Sequence, residues 1–260
     1  MIKVIAFDQD DTLTVSKRPM TANMAALIKK LLGKYEVCII SGTNWEVMKV
    51  NDIDVLQGPG SILDDDVTDD ELKHLHVMAT TGTQYWHFVD GDWKREYAHF
   101  LTDEEVTKVS ELLEKASRKL GYWCENPAGE IIENRGSQVT MSALGQLADP
   151  EDKKVWDPDK SKRNAIKAEV EDEVSAMGLE ILSGGSTSVD VVKPGIDKAY
   201  GMRQLMEQLG VKKEEILFVG DRLDPEGNDY AVKRDGFKTI AVEKWEDTLY
   251  VIEGILGVTD

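Results

Sequence analysis

Residues 3–18 read KVIAFDQDDTLTVSKR. A short apolar, β-rich run ends in Asp8, Asp10 and Asp11, three carboxylates within four positions. The run has the composition of a buried strand. Crowding negative charge at its end costs free energy unless something compensates it. A hard divalent cation with oxygen ligands is one physical answer, and the carboxyl ends of strands in an open α/β sheet are where ligands sit.

The segments that follow fit that sheet. Thr21 precedes ANMAALIKKLL, whose apolar residues recur every three or four positions before Gly33, which predicts a capped amphipathic helix. EVCII is a second strand, ending in SGT at 41–43; NWEVMKV reads as a short helix and HVMATTG as a third strand. Alternating strands and helices imply a parallel sheet. From residue 84 the style changes. QYWHFVDGDWKREY is a hairpin pattern around Asp90-Gly91, and TDEEVTKVSELLEKASRKLG opens with a capping box from Thr102 to Glu105. EIIENRGSQVTMSAL reads as paired strands, 160–176 as a charged helix and LEILSGGSTSVDVV again as strand. After Pro194 the first style resumes, with a helix over 197–209, the strand EILFVGD, a helix near 228–234, the strand KTIAV and a C-terminal helix from about Thr248. The expected organisation is a parallel core formed by 1–83 and 193–260, interrupted by an antiparallel α+β module at 84–192. Trp86, Trp93 and Trp123 fall in that module, where burial in its own small core is the commoner fate of a tryptophan.

Composition sets bounds. A chain of 260 residues can bury a sizeable core. Its 49 Asp and Glu against 31 Lys and Arg give a formal charge of −18, which argues against sequence-independent nucleic-acid binding. No run of 18 apolar residues marks a membrane span, and MIKVIAFD is not a signal peptide. Two cysteines, Cys38 and Cys124, imply neither a disulfide framework nor a zinc cluster. A cytoplasmic protein is the expectation, without nucleic-acid or membrane partners. DDDVTDDE at 64–71 lacks the ligand pattern of a calcium loop and reads as a solvated face.

Four motifs, DQDDTLT, SGT, GIDK and VGDRLDPEGND, resemble in type and order those of the haloacid dehalogenase superfamily of phosphotransferases. An insertion between the second and third is similar to the subclass with an α+β (C2-type) cap. ENRGSQVTMSALGQ and GGSTSVDVVKPGIDKAY resemble stretches of eukaryotic phosphomannomutases. The resemblance implies a Rossmannoid α/β core with an inserted cap. It makes Asp8 the nucleophile, Asp10 the general acid/base and Lys198 the balancing cation. Ser41, Gly42 and Thr12 correspond to the phosphate-binding positions. Mg²⁺ is the implied cofactor, held by Asp8, the Asp10 carbonyl and Asp221, with Asn228 and Asp229 in its vicinity. Asp11 stands where the family usually has glycine.

In those mutases the cap grips the sugar and its distal phosphate. Lys17, Arg18, Arg135, Ser188 and Asp190 correspond to substrate-contacting positions. Gln146 and Lys153 stand where arginines are expected, and losing a planar bidentate donor is not a conservative change. Hinges are expected near Thr81-Gly82 and Lys193-Pro194-Gly195. The leading expectation is a phosphohydrolase acting on a phosphorylated sugar or similar small metabolite through an aspartyl phosphate. A hexose-phosphate mutase is the alternative, and a non-catalytic phosphosugar-binding regulator the third reading. A homodimer is compatible with the resemblance.

Overall fold

A computed structural model describes residues 1–258. They form two compact units, one from Met1–Ala98 with the chain from Ile196 onward, the other from His99–Gly195.

The first unit is built on a seven-stranded sheet. Its strands are β1 (Val4–Asp8), β2 (Glu36–Ile40), β3 (Leu75–Ala79), β4 (Gln84–Val89) and β5 (Asp92–Ala98). The second unit contributes β6 (Ile132–Asn134), β7 (Gln138–Ser142), β8 (Glu180–Ser183) and β9 (Ser188–Val192). The chain then returns to the first sheet with β10 (Ile216–Gly220) and β11 (Lys238–Ala241). The order is β11-β10-β1-β2-β3-β4-β5, with every pair from β11 to β3 parallel. β1 lies near the centre and every residue of it is buried. That burial on both faces is why its sequence is a continuous apolar run rather than an alternating one.

The hairpin at Asp90-Gly91 forms, but not in the inserted module. β4 pairs antiparallel with β3 and with β5, so 84–98 extends the core sheet. The expected boundary at 83/84 therefore moves to Ala98–His99, and the return moves from 192/193 to Gly195–Ile196. The hinge expected at Thr81-Gly82 lies inside the first unit. Trp86 and Trp93 follow the hairpin: Trp86 stacks on Trp45 with ring centroids 4.2 Å apart, and Trp93 sits 5.4 Å from the same ring. Both pack against the core of the first unit.

The helix Ala22–Leu32 is capped as expected, Thr21 Oγ1 accepting from Met24 N at 3.4 Å. It buries Met24, Ile28 and Leu31 on its apolar face. The C-terminal helix starts at Trp245, three residues earlier than its apolar spacing suggested. In the acidic stretch, Thr68 caps a single turn, Asp69–Leu72, whose aspartates are exposed while Leu72 is buried in the core. Lys198–Leu209 approaches the sheet through glycine. A Cβ on Gly201 would lie 2.5 Å from Ile40 Cδ1, and one on Gly82 would lie 2.3 Å from the Gly201 Cα. Only glycine at both positions permits that approach.

The second unit has the sheet order β6-β7-β9-β8, all antiparallel. Val139, Met141, Val189 and Val191 face the helices Asp103–Leu120 and Ser161–Ala176 in one apolar core. Strand alternation sends Gln138, Thr140, Ser188 and Asp190 to the other face. The capping box is present: Thr102 N donates to Glu105 Oε2 at 2.7 Å and Glu105 N to Thr102 Oγ1 at 3.2 Å. A short helix over Pro150–Trp156 went unforeseen; Asp149 caps it. Trp123 lies beneath the Arg118 guanidinium, 4.4 Å from the ring centroid.

Candidate active site

Four parallel strands deliver the candidate residues at their carboxyl ends. Asp8 closes β1, Ser41 follows β2, Thr80 follows β3 and Asp221 follows β10. Lys198 is the first residue of the helix Lys198–Leu209, and Asp229 stands before Tyr230–Arg234.

Lys198 Nζ is buried between two carboxylates. It forms a short ion pair with Asp8 Oδ1 and donates to Asp229 Oδ1 at 2.6 Å. Asp229 Oδ2 accepts from Arg222 N at 3.1 Å. A Cβ on Gly220 would fall 2.3 Å from Asp229 Oδ2, so glycine at the end of β10 is what admits this carboxylate. Asp8, Asp221 and Asp229 bring carboxylate oxygens within 4.8 Å of one another. Three carboxylates and one ammonium leave two net negative charges in a largely dry place. Burial accordingly pushes Asp8 well above the usual carboxylate range, against the opposing pull of Lys198 and with the Asp229 charge adding to it. Burial and Asp229 push Asp221 up to about 6. Lys198 would be lowered by burial alone, but Asp229 and Asp8 reverse that and hold its proton more firmly than usual. A single divalent cation would neutralise the remainder, and the donors are all hard oxygens, which fits Mg²⁺.

The other expected residues are distributed around this group. Thr12 is buried, with Oγ1 3.5 Å from Asp8 Oδ2. The Asp10 carboxylate is not one of the clustered three; its Oδ1 accepts from Lys17 N at 2.7 Å. Asp11 has φ +57°, in the left-handed region, which accounts for the glycine usual there. Lys17 and Arg18 are exposed. Ser41 is buried and its Oγ accepts from Thr43 N at 3.1 Å. Gly42 has no steric need within the protein, since a Cβ there would meet only Thr81 Oγ1 at 3.8 Å. Asn228 is exposed, unlike its neighbour Asp229.

Sequence reasoning placed a hinge at Thr81-Gly82 but gave Thr80 and Thr81 no part beside the SGT turn. Both have positive φ, +46° and +60°, unusual for β-branched residues. Thr81 N donates to Ser41 O at 2.8 Å and Thr80 N to Thr43 O at 2.9 Å, which fixes the SGT turn. No sequence signal marks this pair beyond small residues after a strand.

The second unit groups its own expected residues. Arg135 Nη2 lies 2.9 Å from Glu133 Oε2 and donates to Gln146 Oε1 at 3.3 Å. Lys153 Nζ donates to the Gln146 carbonyl at 2.9 Å. Asp190 Oδ1 accepts from Thr140 Oγ1 at 2.8 Å. A Cβ on Gly184 would sit 2.6 Å from Asp190 Oδ2, so the GGST turn needs glycine beside that aspartate. Ser188 is half-buried on the same strand.

The profile of eukaryotic phosphomannomutases matches residues 86–258, two thirds of the sequence. The chain belongs to this family. The family is an enzyme family of phosphomannomutases, carried on a fold shared with haloacid dehalogenase-like hydrolases. Phosphomannomutase 2 of Dictyostelium discoideum is 25% identical over 234 residues, covering 88% of this chain and 86% of that protein. A haloacid dehalogenase-like hydrolase from Bacteroides thetaiotaomicron shares the fold with TM-score 0.61 at 14% identity, covering 98% of this chain and 100% of that one. IMP-bound IMP-nucleotidase of Plasmodium falciparum aligns with TM-score 0.64 at 15% identity, covering 98% of this chain and 68% of that one. Among the described residues, no helix is long and apolar enough to cross a membrane.

Proposed function

We propose that this member of the phosphomannomutase family is a Mg²⁺-dependent phosphohydrolase for a small phosphorylated metabolite, a sugar monophosphate being the leading candidate. The observation that carries phosphoryl transfer is the buried Lys198 ammonium held between Asp8 and Asp229, with Asp221 alongside. Asp8 attacks phosphorus, the bond from phosphorus to the leaving oxygen breaks, and Asp10 gives that oxygen its proton. Asp10 then takes a proton from water as the water oxygen attacks phosphorus, which frees Asp8 and inorganic phosphate. Lys198 stabilises charge on the phosphoryl oxygens throughout. Asp8, Asp221 and the Asp10 carbonyl would hold Mg²⁺, with Asp229 and Asn228 beside them; when bound, the ion neutralises the excess negative charge and polarises the phosphoryl group. Ser41, Gly42 and Thr12 orient the phosphate.

The second unit is read as the cap that selects substrate; Lys17 and Arg18 are read as substrate contacts in their own right. The donors it offers favour hydrolysis over mutation. A mutase must retain a bisphosphorylated intermediate through its far phosphate. Here Arg135 is paired with Glu133, Gln146 is neutral, and Lys153 is spent on a backbone carbonyl. Each lost charge-assisted hydrogen bond weakens the grip by roughly 1.5–3 kcal/mol. The family match favours the mutase as second reading. The test supplies mannose 1-phosphate or glucose 1-phosphate with Mg²⁺ and a trace of the matching 1,6-bisphosphate. Free phosphate ahead of the 6-phosphate is expected; the 6-phosphate accumulating first makes the protein a mutase.

A further inference from the structure

The loop bearing Asp8 and Asp10 is fastened from behind by a pair of side chains that phosphoryl transfer itself does not use. Gln9 lies between the two carboxylates and is sealed from solvent. Its backbone carbonyl accepts from three successive amides, Thr12 at 3.3 Å, Leu13 at 2.9 Å and Thr14 at 3.3 Å. Its side-chain Nε2 donates to Asp52 Oδ2 at 2.5 Å. Asp52 is wholly buried in a five-residue π-helical turn, Lys49–Ile53. Such turns are rare and are frequently found at functional sites. The turn is itself tied to the loop that follows the first motif, Met20 N donating to Asn51 O at 2.9 Å.

Two atoms of this pair, Gln9 Oε1 and Asp52 Oδ1, are buried without a hydrogen-bond partner. With Asp52 ionised, both are acceptors facing no donor, and the charge is uncompensated, which is costly. A proton on Asp52 removes the charge and turns Oδ1 into a donor, the kind of group Gln9 Oε1 lacks. Burial drives Asp52 well above the usual carboxylate range, and Asp10, the charged group that bears on it, pushes it further the same way, against the Gln9 hydrogen bond.

We propose that Asp52 is a positioning residue for phosphoryl transfer: by pairing with Gln9 it fixes the peptide that joins the attacking carboxylate to the proton-transferring one. The inference rests on the proposed roles of Asp8 and Asp10. Misplacing a reacting group by about 1 Å can cost a hundredfold in rate, so the peg belongs to the rate and not to substrate affinity.

The test compares wild type, Asp52→Ala, Asp52→Asn and Gln9→Leu with p-nitrophenyl phosphate and Mg²⁺, alongside hydrogen exchange at the Thr12, Leu13 and Thr14 amides. Asp52→Ala and Gln9→Leu are expected to lower kcat by about ten- to a hundredfold, to leave KM within about threefold and to speed exchange at those amides. Asp52→Asn, neutral and able both to donate and to accept, should restore turnover to within about threefold of wild type. Should Asp52→Ala fail to fold, Gln9→Leu removes the same bond from its other end. Wild-type turnover tests the phosphohydrolase reading separately, and exchange does not depend on it. Unchanged kcat and unchanged exchange in the folded variants overturn the proposal. Asp52→Asn being as impaired as Asp52→Ala overturns it too, because a charge and not a pairing would then be required.

Discussion

Lys198 and Asp8, 190 positions apart in the sequence, form a buried ion pair. The helix that carries Lys198 reaches the sheet only because Gly201 and Gly82 meet backbone to backbone. The charge that pairs with Asp8 is thus placed by two residues with no side chain.

Asp8→Asn is expected to abolish phosphate release with the fold intact, since it removes the charge of the oxygen proposed to attack and keeps the shape. Phosphate release and circular dichroism, measured together, check this. Residual turnover above a few per cent would place the nucleophile elsewhere.

Removing the buried cation is a different perturbation. Lys198→Met leaves Asp8 and Asp229 facing each other uncompensated, and breaking a buried ion pair from one side costs about 3–5 kcal/mol. A large fall in the denaturation midpoint, partly recovered by Mg²⁺, is the expected result. A midpoint equal to that of wild type without metal would refute this account of the charge balance.

Mg²⁺ should stabilise the protein in a pH-dependent way. Asp221 is raised from an ordinary 3.8 to about 6, so between those values the metal-free folded protein binds a proton that the unfolded chain has released. That contribution is fully present below 3.8 and is lost as pH rises through 6, so metal-free stability from this group falls across that window. Metal must displace the same proton. The melting shift caused by Mg²⁺ should therefore grow from pH 5 to pH 7.5, reaching about 2.7 kcal/mol at a hundredfold excess over Kd. Asp221→Asn should reduce the shift sharply; an undiminished shift would remove Asp221 from the metal site.

Gly82→Ala should be among the more damaging small substitutions. It combines a φ of +82° with a Cβ 2.3 Å from the Gly201 Cα. Overpacking of this kind typically costs about 1–3 kcal/mol, and here it also displaces the helix bearing Lys198. A lower kcat in the folded fraction, as well as a lower melting temperature, is expected; loss of stability alone would separate the helix contact from the chemistry.

Asp11→Gly runs the other way. The left-handed backbone costs a residue with a Cβ about 1–2 kcal/mol, part of which glycine returns to greater chain entropy. A rise in stability of up to about 1 kcal/mol with turnover retained is expected from denaturant titration. Loss of turnover would show that the Asp11 side chain has a role of its own.

The sequence alone determined the main strands and helices of the core and the residues that stand at the ends of its parallel strands, though not the turn Asp69–Leu72 or the start of the C-terminal helix. Those properties are local. An apolar run ending in Asp8, a strand followed by SGT and a helix opening at Lys198 are each legible within a dozen residues, and the parallel order follows from their alternation. It also carried the family resemblance, because motifs are short and ordered. Tertiary structure alone decided which elements became neighbours. The hairpin at 84–98 was readable as a hairpin, but its sheet depended on whether β4 found the edge of β3, and an unpaired edge 5–11 residues away in sequence carries no mark of its eventual partner. The same limit applies to side chains. Gln9 and Asp52 are 43 positions apart, Arg135 and Gln146 eleven, and Gly82 and Gly201 lie on different excursions of the chain. Propensity acts through the backbone of neighbouring residues, whereas burial, ion pairing and close approach depend on which surfaces the folded chain brings together.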